Sequence, residues 1–178
     1  MLLRKADATE IDRIMEILAD GRRTLSAAGV DQWQVGYPYR DMVEEDVAEG
    51  ESYVVEDGGQ ALVATAMLTL RGEPDYLTLT GGHWLTTCPA EQPTYAVVHR
   101  IAVDRGHKGE GIATFILEGL EGIAAAQGCE SVRIDTHADN LAMLGLIAKE
   151  GYTPCGTIHV YHAGESSSSR QAFEKLLP

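Results

Sequence analysis

The chain has 178 residues, with 14 Lys and Arg against 27 Asp and Glu, a formal net charge of −13. A field of that sign repels the phosphates of nucleic acid and an anionic leaflet, so neither is an expected partner. Apolar residues at 44% and charged residues at 23% describe an ordinary globular protein, expected to form one domain over 1–178, and exclude the disordered and fibrous classes. The longest mainly apolar run, residues 61–70, is about half of a bilayer span. The start MLLRKADATE has no apolar core followed by a small-residue cleavage site, so a cytoplasmic location is expected. Three cysteines without a CxxC spacing suggest neither a disulfide framework nor a thiolate zinc site.

In chain order, a short strand over 2–4 precedes a helix that opens at Asp7 or Thr9, with Ile11, Ile14, Met15 and Leu18 at helical spacing and Gly29 as its stop. Residues 30–40 are aromatic and turn-rich, and 41–49 read as a short acidic helix. Two β-rich runs, 52–56 and 60–70, flank Asp57-Gly58-Gly59, a hairpin signal. Residues 73–94 are poorly patterned, with an additional strand predicted over 76–80; a clear strand follows over 95–103. An amphipathic helix runs over 111–127 with Ile112, Phe115, Ile116, Leu120 and Ile123 on one face, stopped by Gly128. Val132 and Ile134 alternate with Arg133 and Asp135 in a strand, and Asp139 or Asn140 caps a helix ending at Gly151. Strands over 152–162 and 170–174 flank a loop over 164–169 that carries a four-serine run. Leaving aside the additional strand over 76–80, the order β-α-α-β-β-β-α-β-α-β-β is a mixed α/β pattern.

One stretch opposes the acidity. Residues 99–108, HRIAVDRGHK, hold Arg100, Arg105 and Lys108 against Asp104, a local +2. They lead into a glycine turn between strand and helix, where backbone N–H groups and a helix N-terminus can hold an anion. The turn lacks the GxxxxGK[ST] of a P-loop, and Thr114 stands where a GxGxxG dinucleotide fingerprint needs its third glycine. What remains is Lys108-Gly109-x-Gly111-x-Ala113, in which small residues let the backbone approach a diphosphate.

This strand, [Q/R]-x-x-G-x-[G/A] turn and helix resembles the acetyl-CoA-binding motif of the GNAT N-acetyltransferase superfamily, with Lys108 where Gln or Arg is usual. Asp139-Asn140 through Gly151-Tyr152 is similar to the family's D-N-x-x-(A/M)-x-x-L-Y-x-x-x-G-F, with Met143, Leu146 and Gly151 in register. Gln32-Trp33-x-x-Gly36-Tyr37-Pro38 and the ending Arg170-x-Ala172-Phe173-Glu174-Lys175 resemble the two terminal blocks of a bacterial subset. The resemblance implies an α/β fold of α+β type: a mostly antiparallel mixed sheet of about six to seven strands, splayed at its centre, with about four flanking helices. It also implies transfer of acetyl from acetyl-CoA to a small-molecule amine or peptide acceptor by direct attack in a ternary complex, and leaves a homodimer open.

The implied cofactor contacts are Ile101, Ala102 and Val103 along a splayed strand, the turn Lys108, Gly109, Glu110, Gly111, Ile112 and Ala113, and Asn140, which is also a helix cap. A backbone N–H near Arg100 or Ile101 is the natural donor to the tetrahedral oxyanion. For the base the choice is His99, just ahead of the cofactor contacts, with His137 in reserve, because histidine changes charge near neutral pH. The tyrosine that the family often uses as acid is replaced by Ile147, which leaves water as proton donor. Tyr152 and Tyr161 are out of register as substitutes. That missing tyrosine also leaves open an acyl-CoA sensor without turnover. Residues 32–37, with Trp33 and Tyr37, together with Trp84 and the irregular segment 73–94, are candidates to shape the acceptor site, Trp33 and Tyr37 being equally readable as core aromatics. His159 and His162 fall on opposite faces of a strand, which argues against a metal site, and Cys155 reads as a buried small residue.

Overall fold

The computed structural model describes residues 1–160 and 168–178. Among the described residues, seven strands, β1 (Leu2–Lys5), β2 (Ser52–Glu56), β3 (Leu62–Thr69), β4 (Tyr95–Val103), β5 (Ser131–Thr136), β6 (Thr153–His159) and β7 (Ser169–Leu176), form one open sheet in the order β1-β2-β3-β4-β5-β7-β6. Every pairing is antiparallel except β4 with β5. The helices are α1 (Ile11–Ala27), α2 (Arg40–Ala48), α3 (Ile112–Ala126) and α4 (Leu141–Lys149). None is long and apolar enough to cross a membrane.

Local chemistry sets most of these boundaries. The Asp7 side chain accepts from the Thr9 backbone while Glu10 reaches back to the Asp7 N–H, a capping box that starts a 3-10 turn leading into α1. Ile11, Ile14, Ile17 and Leu18 then pack on Val54, Leu62 and Ala102, with Val43 of α2 beside them. The opposite face of the sheet carries α3 and α4. Ile116, Leu117 and Leu120 of α3 and Ile147 of α4 are fully buried there, each worth about 1.5–3 kcal/mol of apolar burial. Strand β3 is buried along its whole length because helices cover both its faces.

The expected strand over 76–80 is instead a 3-10 turn, Pro74–Thr78. The Glu73 side chain accepts from the Asp75 N–H and Pro74 occupies the first helical position, so a helix start forms where β-rich residues suggested extension. Among the described residues, Thr80 alone of this segment pairs with the sheet, through an isolated bridge to Thr157. The rest of this connection is held down by an ion pair under it. Glu174 of β7, with no exposed surface, bonds Arg133 Nε at 3.0 Å and also accepts from Ser131, the Leu85 N–H and Thr86. The Arg133 guanidinium lies between the rings of Tyr95, 3.6 Å away, and Trp84, 4.2 Å away. Of the expected segment 152–162, β6 ends at His159; residues 161 and 162, with Tyr161 and His162, and loop residues 164–167 lie outside the described residues.

Candidate active site

Strands β4 and β5 are paired only from Tyr95 with Ser131 to Val97 with Arg133. Beyond that point β4 stays with β3 as far as Val103 and β5 stays with β7 as far as Thr136, so the sheet forks at its centre. Strand β4 also bulges inside the fork. Thr65 faces Ala102 and Met67 faces His99, which leaves Arg100 and Ile101 together opposite Ala66. Arg100 sits at φ 56°, a left-handed conformation that costs a non-glycine residue about 1–3 kcal/mol. Its buried guanidinium supplies compensation, bonding Asp46 of α2 at 2.6 Å and the Tyr37 hydroxyl at 3.4 Å. A cavity of about 450 Å³ fills the fork and is walled by both strands, α1, α4 and the 3-10 turn.

The glycine turn closes one end. Asp104 fixes its approach by accepting from Arg13 at 2.6 Å and from the Gly106 N–H at 2.8 Å, which hold its carboxyl down to about 2. Gly109 and Gly111 have φ 83° and 78°. A Cβ at either position would meet nothing within 4 Å, so the turn's backbone faces open space. Gly111 caps α3 without a side chain, and the N–H groups of the first turn are therefore left for an outside acceptor. Ile101, Ala102, Val103, Lys108, Ala113 and Asn140 line the cavity, whereas the Ile112 side chain is turned into the core. Gly109, Glu110 and Gly111 join Lys108 to Ala113. The Lys108 ammonium donates to Thr24 of α1 at 2.5 Å. Asn140 caps α4 by accepting from the Met143 N–H, and its amide donates to Gln32 at 3.0 Å. An open glycine cradle, an uncapped helix start and an adjacent lysine fit the diphosphate of a CoA thioester.

The other end is polar. His99 Nε2 lies 3.1 Å from Glu73 Oε2 and its Nδ1 lies 3.8 Å from Asp135 Oδ1, while the Tyr76 hydroxyl donates to Asp135 at 2.8 Å. Burial pushes Glu73 up, but the hydrogen bond and charge of His99, the Asp75 N–H and the charge of Arg100 together outweigh it and leave the carboxyl below its ordinary range. For Asp46 and Tyr37 burial wins over the Arg100 guanidinium, and both are pushed up. Trp33 and Tyr37 line the cavity and pack inward as well; Trp33 belongs to the cluster beneath α1.

Two candidates stand elsewhere. The buried His137 ring accepts from the Asp139 N–H at 3.2 Å, closing the turn before α4, and is not a wall of the cavity. Trp84 lies behind Tyr76, stacked on it with centroids 5.2 Å apart. Ile147 is wholly buried in the core. Glu73 and Tyr76 fall in the segment 73–94 that the sequence assigned to the acceptor site without singling them out, whereas Asp135 and Arg170 were missed as cavity walls. The helix-start signal Glu73-Pro74-Asp75 was available for Glu73, and the polar alternation of β5 for Asp135.

Comparison with known proteins bears on the same features. A profile of the Acetyltransferase (GNAT) family matches residues 11–152. A GNAT-family acetyltransferase from Streptococcus agalactiae is 28% identical, with a TM-score of 0.85 over 99% of this chain and 95% of that one. An N-acetyltransferase from Staphylococcus aureus is 22% identical, with a TM-score of 0.70 over 99% and 98%. A ribosomal-protein-alanine N-acetyltransferase from Brucella melitensis shares the fold at 18% identity, with a TM-score of 0.67 over 99% and 100%. No curated protein sequence matches. With four fifths of its length under the family profile and the forked sheet in place, the chain belongs to the GNAT acetyltransferase family and is an N-acetyltransferase.

Proposed function

We propose that the protein transfers acetyl from acetyl-CoA directly to an amine bound in the same cavity, without a covalent enzyme intermediate. The observation that carries this reading is one cavity lined by Lys108 and Ala113, which flank the glycine turn, by both strands of the fork and by His99. The free edge of Ile101–Val103 is suited to pair with the pantetheine arm as an added strand would. Lys108 through Ala113 would hold the diphosphate, and Asn140 lies along the path between. The bulge at Arg100 and Ile101 supports one of their N–H groups as donor to the oxyanion.

His99 takes the role of base. Hydrogen bonding to Glu73 favours the tautomer with the proton on Nε2, leaving the Nδ1 lone pair on the Asp135 side, where 3.8 Å is too long for a hydrogen bond. Nδ1 accepts one proton from the acceptor ammonium, and the amine lone pair forms a bond to the thioester carbonyl carbon. The C–S bond then breaks, its electron pair leaves with the CoA thiolate, and the nitrogen's second surplus proton reaches that thiolate through water. The imidazolium that forms would stand between two carboxylates. Trp33 and Tyr37 contribute to the acceptor half of the cavity, and His137, tied to its own turn, has no part in this scheme.

Thiol release from acetyl-CoA with a panel of amines tests the reading, run beside a thermal-shift titration with acetyl-CoA. Release dependent on an amine is the expected result. Stabilisation by acetyl-CoA with no release for any acceptor would replace the transferase by an acyl-CoA sensor.

A further inference from the structure

Glu73 and Asp135 flank His99 from two different elements, the start of the 3-10 turn and the end of β5, and both line the cavity. Their side chains are 25% and 9% exposed. Glu73 Oε1 accepts from the Asp75 N–H at 3.3 Å and Oε2 faces His99; Asp135 Oδ1 accepts from Tyr76. A carboxylate has about four lone-pair positions, so each retains capacity on its cavity side. Among the described residues, these hydrogen-bond partners are an amide, a phenol and one imidazole, none of them a permanent cation. Arg100, the nearest guanidinium on β4, is already held by Asp46 at 2.6 Å. Two half-buried carboxylates beside an imidazole that can be neutral form a strongly cation-seeking pocket, because their desolvation is best offset by a charge-assisted hydrogen bond.

We propose that Glu73 and Asp135 together bind the acceptor's ammonium group and select primary alkylamines over amines that carry a carboxylate on the neighbouring carbon. This rests on the amine-acetylating reading above and names the acceptor class for it. An ammonium set between the two carboxylates lies beside His99 Nδ1, the position from which its proton has to leave. An α-carboxylate would add a third negative charge within the same few ångströms. Asp75 and Arg170 also wall the cavity, and each already has an interaction partner.

The test compares Glu73→Gln and Asp135→Asn, which keep the shape and one acceptor oxygen but remove the charge, with the wild type. n-Butylamine and alanine serve as acceptors. Each variant should raise KM for n-butylamine at least about ten-fold, with KM for acetyl-CoA and the acetyl-CoA thermal shift unchanged, and should narrow the wild-type preference for n-butylamine over alanine. An unchanged amine KM in both variants, or a wild type that prefers alanine, overturns the proposal. A second measurement does not need turnover: n-butylammonium is titrated into CoA-loaded protein while the His99 ring resonances are followed by NMR. Saturation in the wild type and its loss in the variants supports the site even if no acetyl is transferred, in which case the transferase reading fails alone. Absence of saturation in the wild type, or equal saturation in the variants, overturns the site.

Discussion

Gly111, in the turn between the cavity-lining Lys108 and Ala113, and His99, in the cavity wall, each support a prediction at the scale of one side chain. Gly111 combines open space above its α-carbon with φ 78°. Gly111→Val would place a branched side chain in the diphosphate path and force it into a left-handed conformation costing about 1–2 kcal/mol. The expected outcome is a folded protein of slightly lower Tm whose acetyl-CoA Kd rises at least ten-fold, about 1.4 kcal/mol; calorimetric titration checks it, and an unchanged Kd removes the loop as the diphosphate site. His99→Ala should lower kcat/KM for amines by roughly 10²-fold or more near neutral pH. The deficit should shrink as pH approaches the amine's own pKa of about 10, where free base is abundant. A deficit constant with pH would remove His99 as base. Both residues could be picked from the sequence, because a glycine pair before a helix and a histidine in a β-rich run are local patterns. The pairing of Glu73 with Asp135 could not, because it consists of one imidazole standing between two residues 62 positions apart in the chain.

At the scale of elements, α1, α3, α4 and most of the strands follow from periodicity and caps, and they were legible. The 3-10 turn Pro74–Thr78 was not, since its aromatic and threonine content suits a strand while Glu73 capping and Pro74 decide for a helix start. The segment after it owes its place to Glu174, which reaches Thr86 and the Leu85 N–H from beneath and pairs with Arg133. Glu174→Ala would strand a buried guanidinium between Tyr95 and Trp84. Breaking such a pair on one side costs about 3–5 kcal/mol, and urea unfolding should show a loss in that range. Since Trp84 backs Tyr76, and Tyr76 holds Asp135, amine KM should rise more than acetyl-CoA KM in any folded fraction. A loss below about 1 kcal/mol would mean that the connection is held by other contacts.

For the molecule as a whole, the carboxylates held low set the response to acid. Burial pushes Glu174 up, but the hydrogen bonds from Ser131, Thr86 and Arg133 outweigh it and hold it below its ordinary 4.5. Arg13 and the Gly106 N–H bring Asp104 from 3.8 down to about 2. A folded-state pKa below the unfolded value contributes stability that is complete above the unfolded value and is lost as pH falls through the folded one. Stability should therefore decline as pH drops from about 4.5 toward 2. Asp46, pushed up by burial, works in the opposite sense and offsets part of the loss. Urea midpoints across this range test the sign, and Glu174→Gln should flatten the upper part of the slope. The net charge of −13 and the basic island at 99–108 are properties of sequence alone, as are the glycine turn, the helix caps and the order of elements, because each depends on residues within a few positions of one another. The fork between β4 and β5, the bulge that turns Arg100 toward Asp46, and the pocket of Glu73, His99 and Asp135 were decided only in three dimensions. Strand partners and ionic neighbours far apart in the chain are chosen by packing, and no local pattern encodes that choice.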